Sequence, residues 1–118
     1  MVRRVVLASF IVCALGAAAL LVPLASGAPT AKYTVTAVDF KFKNMPKTTA
    51  PGTHTFTLVN QGGSGHDLKL AGKRTKVLRK GQRGSITVVL KRGQTYAFLC
   101  TVSGHASLGM KGKVVTKG

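Results

Sequence analysis

The chain has very few acidic residues. Its 118 residues include two Asp or Glu against 18 Lys or Arg, which gives a formal net charge of +16 at pH 7. An imbalance of this size bears on solubility and on the choice of partner more than on the fold. We expect attraction to acidic proteins or anionic surfaces, weakening as salt is added, since exposed charges are screened over about 8 Å at physiological ionic strength.

The first 28 residues have the composition of a targeting segment. Arg3 and Arg4 precede an apolar run over 5–24, and the small residues 25–28 follow, as a signal-peptidase site requires. The run is longer than the usual core of a signal peptide and, at about 20 residues, long enough to span a bilayer. We expect a signal peptide that is cleaved, with a retained membrane anchor as the alternative. Either one predicts an exported protein that is periplasmic, secreted or anchored outside the cytoplasm.

Cysteine is scarce as well, with Cys13 inside the apolar run and Cys100 near the other end of the chain. If residues 1–28 are removed, a single domain over 29–118 remains, with one cysteine and therefore no internal disulfide. A leftover thiol of this kind is buried, reactive or bound to metal. Loss of the two arginines would leave 16 basic residues against 2 acidic ones.

Short alternating segments predict an all-β fold. Residues at every second position form one largely apolar face in three segments: Tyr33, Val35 and Ala37; His54, Phe56 and Leu58; and Ile86, Val88 and Leu90. Residues 44–52 are rich in turn formers and predict a loop, and no long helical period occurs in 29–118. Short strands separated by glycine turns are typical of a β-sandwich.

The region 96–115 concentrates the residues with metal-binding chemistry. Cys100, His105 and Met110 have four residues between each neighbouring pair, in a predicted loop between strands at 96–100 and 111–115. A further histidine, His66, ends the glycine-rich segment 60–66. Two His, one Cys and a weak axial Met form the ligand set of a mononuclear blue-copper site.

Two segments, NQGGSGHD at 60–67 and YAFLCTVSGHASLGMKGKVV at 96–115, resemble the copper-binding segments of the cupredoxins, the plastocyanin, azurin and rusticyanin family. The spacing from Cys to His is similar to azurin, that from His to Met to plastocyanin, and the two together to rusticyanin. The resemblance is strongest over 60–118. It implies a Greek-key β-sandwich or barrel of about seven or eight strands. It also implies one type 1 copper ion, held by His66, Cys100, His105 and Met110, and a role in carrying single electrons.

Hydrogen bonds are expected to support the ligands. Asp67 follows His66 directly, and we expect it to accept from the backbone or hydroxyl of Thr101, which would tie the two segments together. Asn60, at the start of the first segment, is expected to take part in the same support. His54 lies far in sequence from any Cys or Met, so we expect it to pack as an ordinary strand residue.

The same residues bear on other possible functions. A dinuclear copper centre needs a second cysteine in the loop, and multicopper oxidases flank the cysteine with histidines, where this chain has Leu99 and Thr101. An enzyme with Cys100 as nucleophile lacks a clear orienting Asn or Asp, so we do not expect an enzyme. Copper storage, delivery or sensing remains the alternative function. Delivery proteins usually have Met- or Cys-rich sites, and this chain has only three methionines. A second alternative is a purely structural sandwich in which Cys100 is simply buried.

The basic cluster at 73–92 bears on the partners. We expect redox partner proteins with an acidic docking face, or an anionic membrane surface, and a monomeric protein. Nucleic acid is not expected, because the sequence shows neither a helix-turn-helix pattern nor a platform of aromatic and basic residues.

Overall fold

The structure, a computed structural model, describes residues 30–118. Within that range it contains nine β-strands and no helix, and hence no helix that could cross a membrane. The predicted signal or anchor segment at 1–28 lies outside the described residues. The strands are β1 (Ala31–Val38), β2 (Lys41–Lys43), β3 (Thr48–Thr49), β4 (Gly52–Asn60), β5 (Lys69–Leu70), β6 (Lys73–Arg74), β7 (Arg83–Leu90), β8 (Thr95–Leu99) and β9 (Lys111–Thr116).

The strands form two mixed sheets. One has the order β2-β1-β4-β7 and the other the order β3-β9-β8-β5-β6. In the first, β1 runs parallel to β4 and antiparallel to β2, and in the second, β9 runs parallel to β3 and antiparallel to β8. The predicted all-β fold is confirmed. The strand count exceeds the expected seven or eight because of two-residue strands, among them β3, which pairs Thr48–Thr49 with β9 inside the predicted loop 44–52.

The predicted alternation places the core between the sheets. In β4 the side chains of His54, Phe56 and Leu58 are buried, while Thr55 and Thr57 lie on the outer face and make hydroxyl contacts with β7 at 3.1 and 2.7 Å. The same period buries Val35 and Ala37 in β1, Ile86, Val88 and Leu90 in β7, Phe98 in β8 and Val114 in β9. Removal of this apolar surface from water is the main force that holds the sheets together.

The parallel pairing of β1 with β4 decides what lies beside the glycine-rich segment. In parallel strands the carboxyl ends meet at one edge, so Ala37 is opposite Asn60, and the backbone N–H of Gln61 donates to Ala37 at 2.9 Å. The chain leaving β1 at Asp39 therefore lies next to the chain leaving β4. In the other sheet, Leu99 at the end of β8 is opposite Lys69, close to His66 and Asp67 in sequence.

His54 is a packed strand residue, as predicted. Its side chain is buried, Nδ1 accepts from the Ala31 backbone N–H at 3.0 Å, and Nε2 donates to the Ala50 carbonyl at 2.7 Å. Both ring nitrogens thus have backbone partners.

We expect His54→Leu to lower the free energy of unfolding by roughly 1–3 kcal/mol, because it leaves the Ala31 N–H and the Ala50 carbonyl without their partner. Urea unfolding of the metal-free protein measures this. Thr53→Val, at an exposed position of the same strand, is the control and should stay within about 0.5 kcal/mol of the parent protein. A His54→Leu loss no larger than that of the control would contradict the structural role.

Candidate metal centre

Three predicted ligand residues meet at one point. The Nδ1 atoms of His66 and His105 are 3.1 Å apart, and the Cys100 Sγ atom is 4.0 Å from the first and 3.7 Å from the second. Among residues 30–118 these three form the group of His, Cys, Asp and Glu side chains whose donor atoms are close enough to share a metal ion. His66 and Cys100 are buried, and His105 is half-buried.

The separations fit a single first-row transition metal ion. With zinc distances as a guide, such an ion lies about 2.0 Å from an imidazole nitrogen and about 2.3 Å from a thiolate. Two nitrogens that share an ion are thus at most about 4 Å apart, and a nitrogen and a sulfur at most about 4.3 Å. All three observed distances satisfy these limits without movement of the chain. Thiolate and imidazole together suit copper in both of its oxidation states.

The loop between β8 and β9 is held by its own backbone. Cys100 donates its N–H to the Met110 carbonyl at 3.0 Å, and Met110 donates to the His105 carbonyl at 3.1 Å. His105 in turn donates to Val102 at 3.0 Å. Met110 is fully buried. These bonds give the three predicted ligands of the loop one fixed arrangement.

Gly109 allows this loop to close. Its φ is +127°, which residues with a side chain rarely adopt, and a Cβ atom there would lie 3.1 Å from the Phe40 carbonyl oxygen. The turn after β1 therefore packs directly against the ligand loop. The Phe40 ring also meets the His105 ring edge-on, with centroids 5.0 Å apart, and the His66 ring at 6.1 Å.

Asn60 organises the segment that carries His66. Its side chain is buried, donates to the carbonyls of Ser64 at 2.8 Å and Leu78 at 2.7 Å, and accepts from the Gly62 N–H at 2.8 Å. His66 itself exchanges two backbone hydrogen bonds with Leu78, at 3.1 and 2.8 Å. The loop is thereby fixed at both ends.

Asp67 links the two segments in the expected way. Its side chain is buried, Oδ1 accepts from the Thr101 N–H at 2.6 Å, and Oδ2 accepts from the Thr101 hydroxyl. Since Asp67 follows His66 and Thr101 follows Cys100, this pair joins two donor residues that are 34 positions apart. The Arg74 guanidinium lies 3.9 Å from Oδ2.

Asp39 is a site residue that the sequence analysis missed. Its Oδ1 atom is 2.6 Å from His66 Nε2, and the carboxylate also faces the backbone N–H groups of Gly63 and Ser64 at 3.2 and 3.3 Å. The hydrogen bond with His66 holds the pKa of Asp39 below its usual value, so the side chain is a carboxylate at neutral pH. One signal was available, because Asp39 and Asp67 are the two acidic residues of the whole chain.

Burial has the opposite effect on the pKa of Cys100. Desolvation raises the pKa of its thiol, because a thiolate in an apolar surrounding lacks compensation for its charge. Among residues 30–118, no Lys or Arg contributes to the pKa of this thiol. A bound metal cation would supply the compensation, since a coordinating thiol is deprotonated by the ion.

Comparison with known proteins gives the family. The family model of copper binding proteins, plastocyanin/azurin family, matches residues 29–117. The chain belongs to this family. It is a blue copper protein, and its cofactor is a single type 1 copper ion.

Similar solved structures show the same fold. The auracyanin of Roseiflexus castenholzii, reduced with dithionite, has a TM-score of 0.67 and 21% identity, over 78% of this chain and 100% of that one. Auracyanin A of Chloroflexus aurantiacus, a blue copper protein, has a TM-score of 0.63 and 17% identity, over 75% and 100%. The copper-containing nitrite reductase of Thermus scotoductus has a TM-score of 0.60 and 15% identity, over 75% of this chain and 28% of the enzyme. No curated protein matches the chain.

We expect Asp67→Ala to weaken copper retention and to lower the free energy of unfolding by roughly 1.5–3 kcal/mol, because the Thr101 N–H and hydroxyl lose a charged acceptor. Copper retention against a chelator and urea unfolding measure the two effects. Asp67→Asn is the matched variant, with one carbonyl oxygen left to accept from Thr101, and its losses should be smaller. Unchanged copper retention and redox potential in Asp67→Ala would mean that this link is unimportant.

Proposed function

We propose that the protein carries single electrons between redox partners, and that His66, Cys100, His105 and Met110 would hold the copper ion. The observation that supports this most is the arrangement of the three donor atoms, 3.1–4.0 Å apart and held by hydrogen bonds of the surrounding backbone. A carrier benefits from such an arrangement, since a site that does not rearrange between oxidation states loses little energy to reorganisation.

Each residue has a distinct role in this proposal. Copper, when bound, supplies one-electron chemistry between its cuprous and cupric states. Cys100 would bind copper as thiolate and connect the site to β8, and the buried His66 would anchor it through its backbone hydrogen bonds with Leu78. Met110 would help to set the potential, together with the apolar residues around it. Asp67 and Thr101 join the two ligand segments by hydrogen bonds, and Asp39 holds the ring of His66.

His105 is the proposed point of electron entry and exit. It is half-buried, whereas His66 and Cys100 are buried, so it is the ligand residue nearest to solvent. Ala106, Ser107 and Leu108 follow it, and the Leu108 side chain is 62% exposed. An exposed apolar residue beside a half-exposed ligand provides a small contact surface for a partner.

Copper storage or delivery is a weaker proposal on the same geometry. Delivery requires that copper exchange readily, and donors from two segments joined through Asp67 and Thr101 oppose exchange. We likewise propose that the protein is not an enzyme. The surface depression lined by Ala97, Leu99 and neighbouring residues of β8 and β9 includes none of the four proposed ligands.

The surface charge supports an acidic partner. All 16 Lys and Arg side chains of residues 30–118 are exposed, and both carboxylates of the chain are engaged at the metal centre. We propose docking to a redox protein with an acidic face, with an anionic membrane surface as the second candidate. We further propose a monomeric domain over 29–118, exported by the segment 1–28.

We expect the protein with copper(II) to show an intense blue absorption from thiolate-to-copper charge transfer and a narrow copper hyperfine splitting. Cys100→Ser should abolish the blue band and leave a pale, ordinary copper(II) spectrum, because the thiolate is lost. Met110→Leu should keep the band and change the redox potential. Visible absorption, paramagnetic resonance and voltammetry measure these properties.

Met45→Leu is the control for the methionine variant. Met45 is a partly buried methionine that packs against the core and is not a proposed ligand, so both spectrum and potential should remain as in the parent protein. A pale spectrum from the parent protein itself would overturn the four-ligand site. A blue protein that loses its copper on each reduction would favour storage or delivery over electron transfer.

The basic surface predicts opposite salt effects with oxidants of opposite charge. An increase in ionic strength from about 0.01 M to about 0.1 M shortens the Debye length from about 30 Å to about 10 Å. Over this range the oxidation of the reduced protein by ferricyanide, an anion, should slow, and its oxidation by tris(phenanthroline)cobalt(III), a cation, should accelerate. Stopped-flow absorbance at the blue band measures both rates. A ferricyanide rate that does not depend on salt would contradict electrostatic steering by this surface.

A further inference from the structure

Asp39 and His66 form a close contact in which both side chains are held in place. The carboxylate Oδ1 atom lies 2.6 Å from His66 Nε2, and the imidazole is completely buried. The same carboxylate accepts hydrogen bonds from two backbone N–H groups, those of Gly63 at 3.2 Å and Ser64 at 3.3 Å. Three donors thus hold the carboxylate, and two of them belong to the loop that carries the histidine.

The contact decides which nitrogen of His66 carries the proton. A neutral imidazole has one N–H donor and one acceptor nitrogen, and a carboxylate can only accept. The proton therefore belongs on Nε2, facing Asp39. The lone pair is then on Nδ1, the atom that lies 3.1 Å from His105 Nδ1 and 4.0 Å from Cys100 Sγ.

Gly62 preserves the space in which this contact forms. A Cβ atom at this buried position would lie 2.5 Å from Asp39 Oδ1 and 2.8 Å from His66 Nε2, too close to both. Any side chain at position 62 would thus press on the two atoms that form the hydrogen bond. The contact in this geometry therefore requires a residue without a side chain at position 62.

His105 has no equivalent partner. The chain has two side-chain carboxylates, and Asp67 is bound to Thr101, so none is left to hold the second imidazole. The Phe40 ring lies edge-on beside the His105 ring, with centroids 5.0 Å apart. The two proposed imidazole ligands are therefore chemically different.

We propose that Asp39 is a positioning residue that fixes the tautomer and orientation of His66, makes it the stronger electron donor of the two proposed imidazole ligands, and lowers the reduction potential of the bound copper. This inference rests on the proposed copper ligands. A carboxylate that accepts from the outer nitrogen of a ligand histidine raises the basicity of the ligand, and its removal typically costs about 10–100-fold in metal affinity. A more basic ligand and a nearby negative charge favour the more highly charged cupric ion.

Two substitutions separate the charge of Asp39 from its hydrogen bond. Asp39→Asn keeps the shape and removes the charge, so the blue band should persist while the reduction potential rises. Asp39→Ala also removes the acceptor, so copper(II) affinity measured by chelator competition should fall about 10–100-fold. Each tenfold loss of copper(II) affinity relative to copper(I) raises the potential by about 59 mV.

Gly62→Ala tests the same contact without a change of charge or of either partner. It should weaken copper(II) binding in the same direction as Asp39→Ala, because the new methyl group separates the carboxylate from the imidazole. Lys41→Gln is the control for net charge, since it removes one exposed charge in β2, two residues after Asp39 in the chain. As it removes a positive charge and leaves the contact intact, it should not weaken copper(II) binding and should move the potential slightly downward, opposite to Asp39→Asn.

The tautomer can be measured without copper and without any variant. In the metal-free parent protein, nitrogen-15 spectra of the histidine rings in mildly alkaline buffer should show His66 protonated at Nε2. Protonation at Nδ1 instead would overturn the proposal, as would potentials and copper(II) affinities of both Asp39 variants equal to those of the parent protein. Absence of the blue band in the parent protein would contradict the proposed copper ligands. The nitrogen-15 measurement of the His66 ring does not depend on that result and tests the tautomer alone.

Discussion

The structure depends on one constraint, namely that donor atoms from distant parts of the chain stay within about 4 Å of each other. His66 is 34 residues from Cys100 and 39 from His105, so local chain geometry alone cannot bring them together. The fold does so because β5, which follows His66 and Asp67, pairs antiparallel with β8, so that Lys69 is opposite Leu99 and the residues before β5 lie beside those after β8. Ordering a residue costs roughly 1–2 kcal/mol of backbone entropy, and burial in the core offsets this cost for the strands that position the donor residues.

Both side-chain carboxylates of the chain help to hold these donor atoms together. In a chain with 18 basic residues, each acidic side chain that remains serves the metal centre: Asp67 fixes the residue after Cys100, and Asp39 fixes His66. A lysine could not accept these hydrogen bonds at all. A neutral acceptor would form weaker ones, since charge-assisted bonds are about twice as strong as neutral ones. The outer surface carries no such requirement and is cationic throughout residues 30–118. A strongly basic exterior and a precisely built site are therefore compatible in one small domain.

Sequence reasoning succeeded where the signal is local. The two-residue period predicted the buried faces of β1, β4 and β7, and the spacing of Cys100, His105 and Met110 predicted one loop. The link from Asp67 to Thr101 could be inferred because both residues adjoin a predicted ligand. Asp39 could not be inferred in this way, because its position beside His66 follows from the parallel register of β1 and β4, which no local pattern reveals. The pairing of β3 with β9 was missed for the same reason, since two threonines in a turn-rich segment give no period.

The two histidines are held to different degrees, and this difference explains how one small domain can combine a rigid site with access for a partner. His66 is buried, bonded through its backbone to Leu78 and through its ring to Asp39, so it has little freedom to move. His105 is half-buried and its ring is bordered by Phe40, an apolar neighbour that restricts it without competing for its nitrogens. A partner must approach closely for electron transfer, and approach is possible only where a ligand residue reaches the surface. Placing the firm hydrogen bonds on the inner histidine leaves the outer one accessible, so rigidity and access are assigned to different residues.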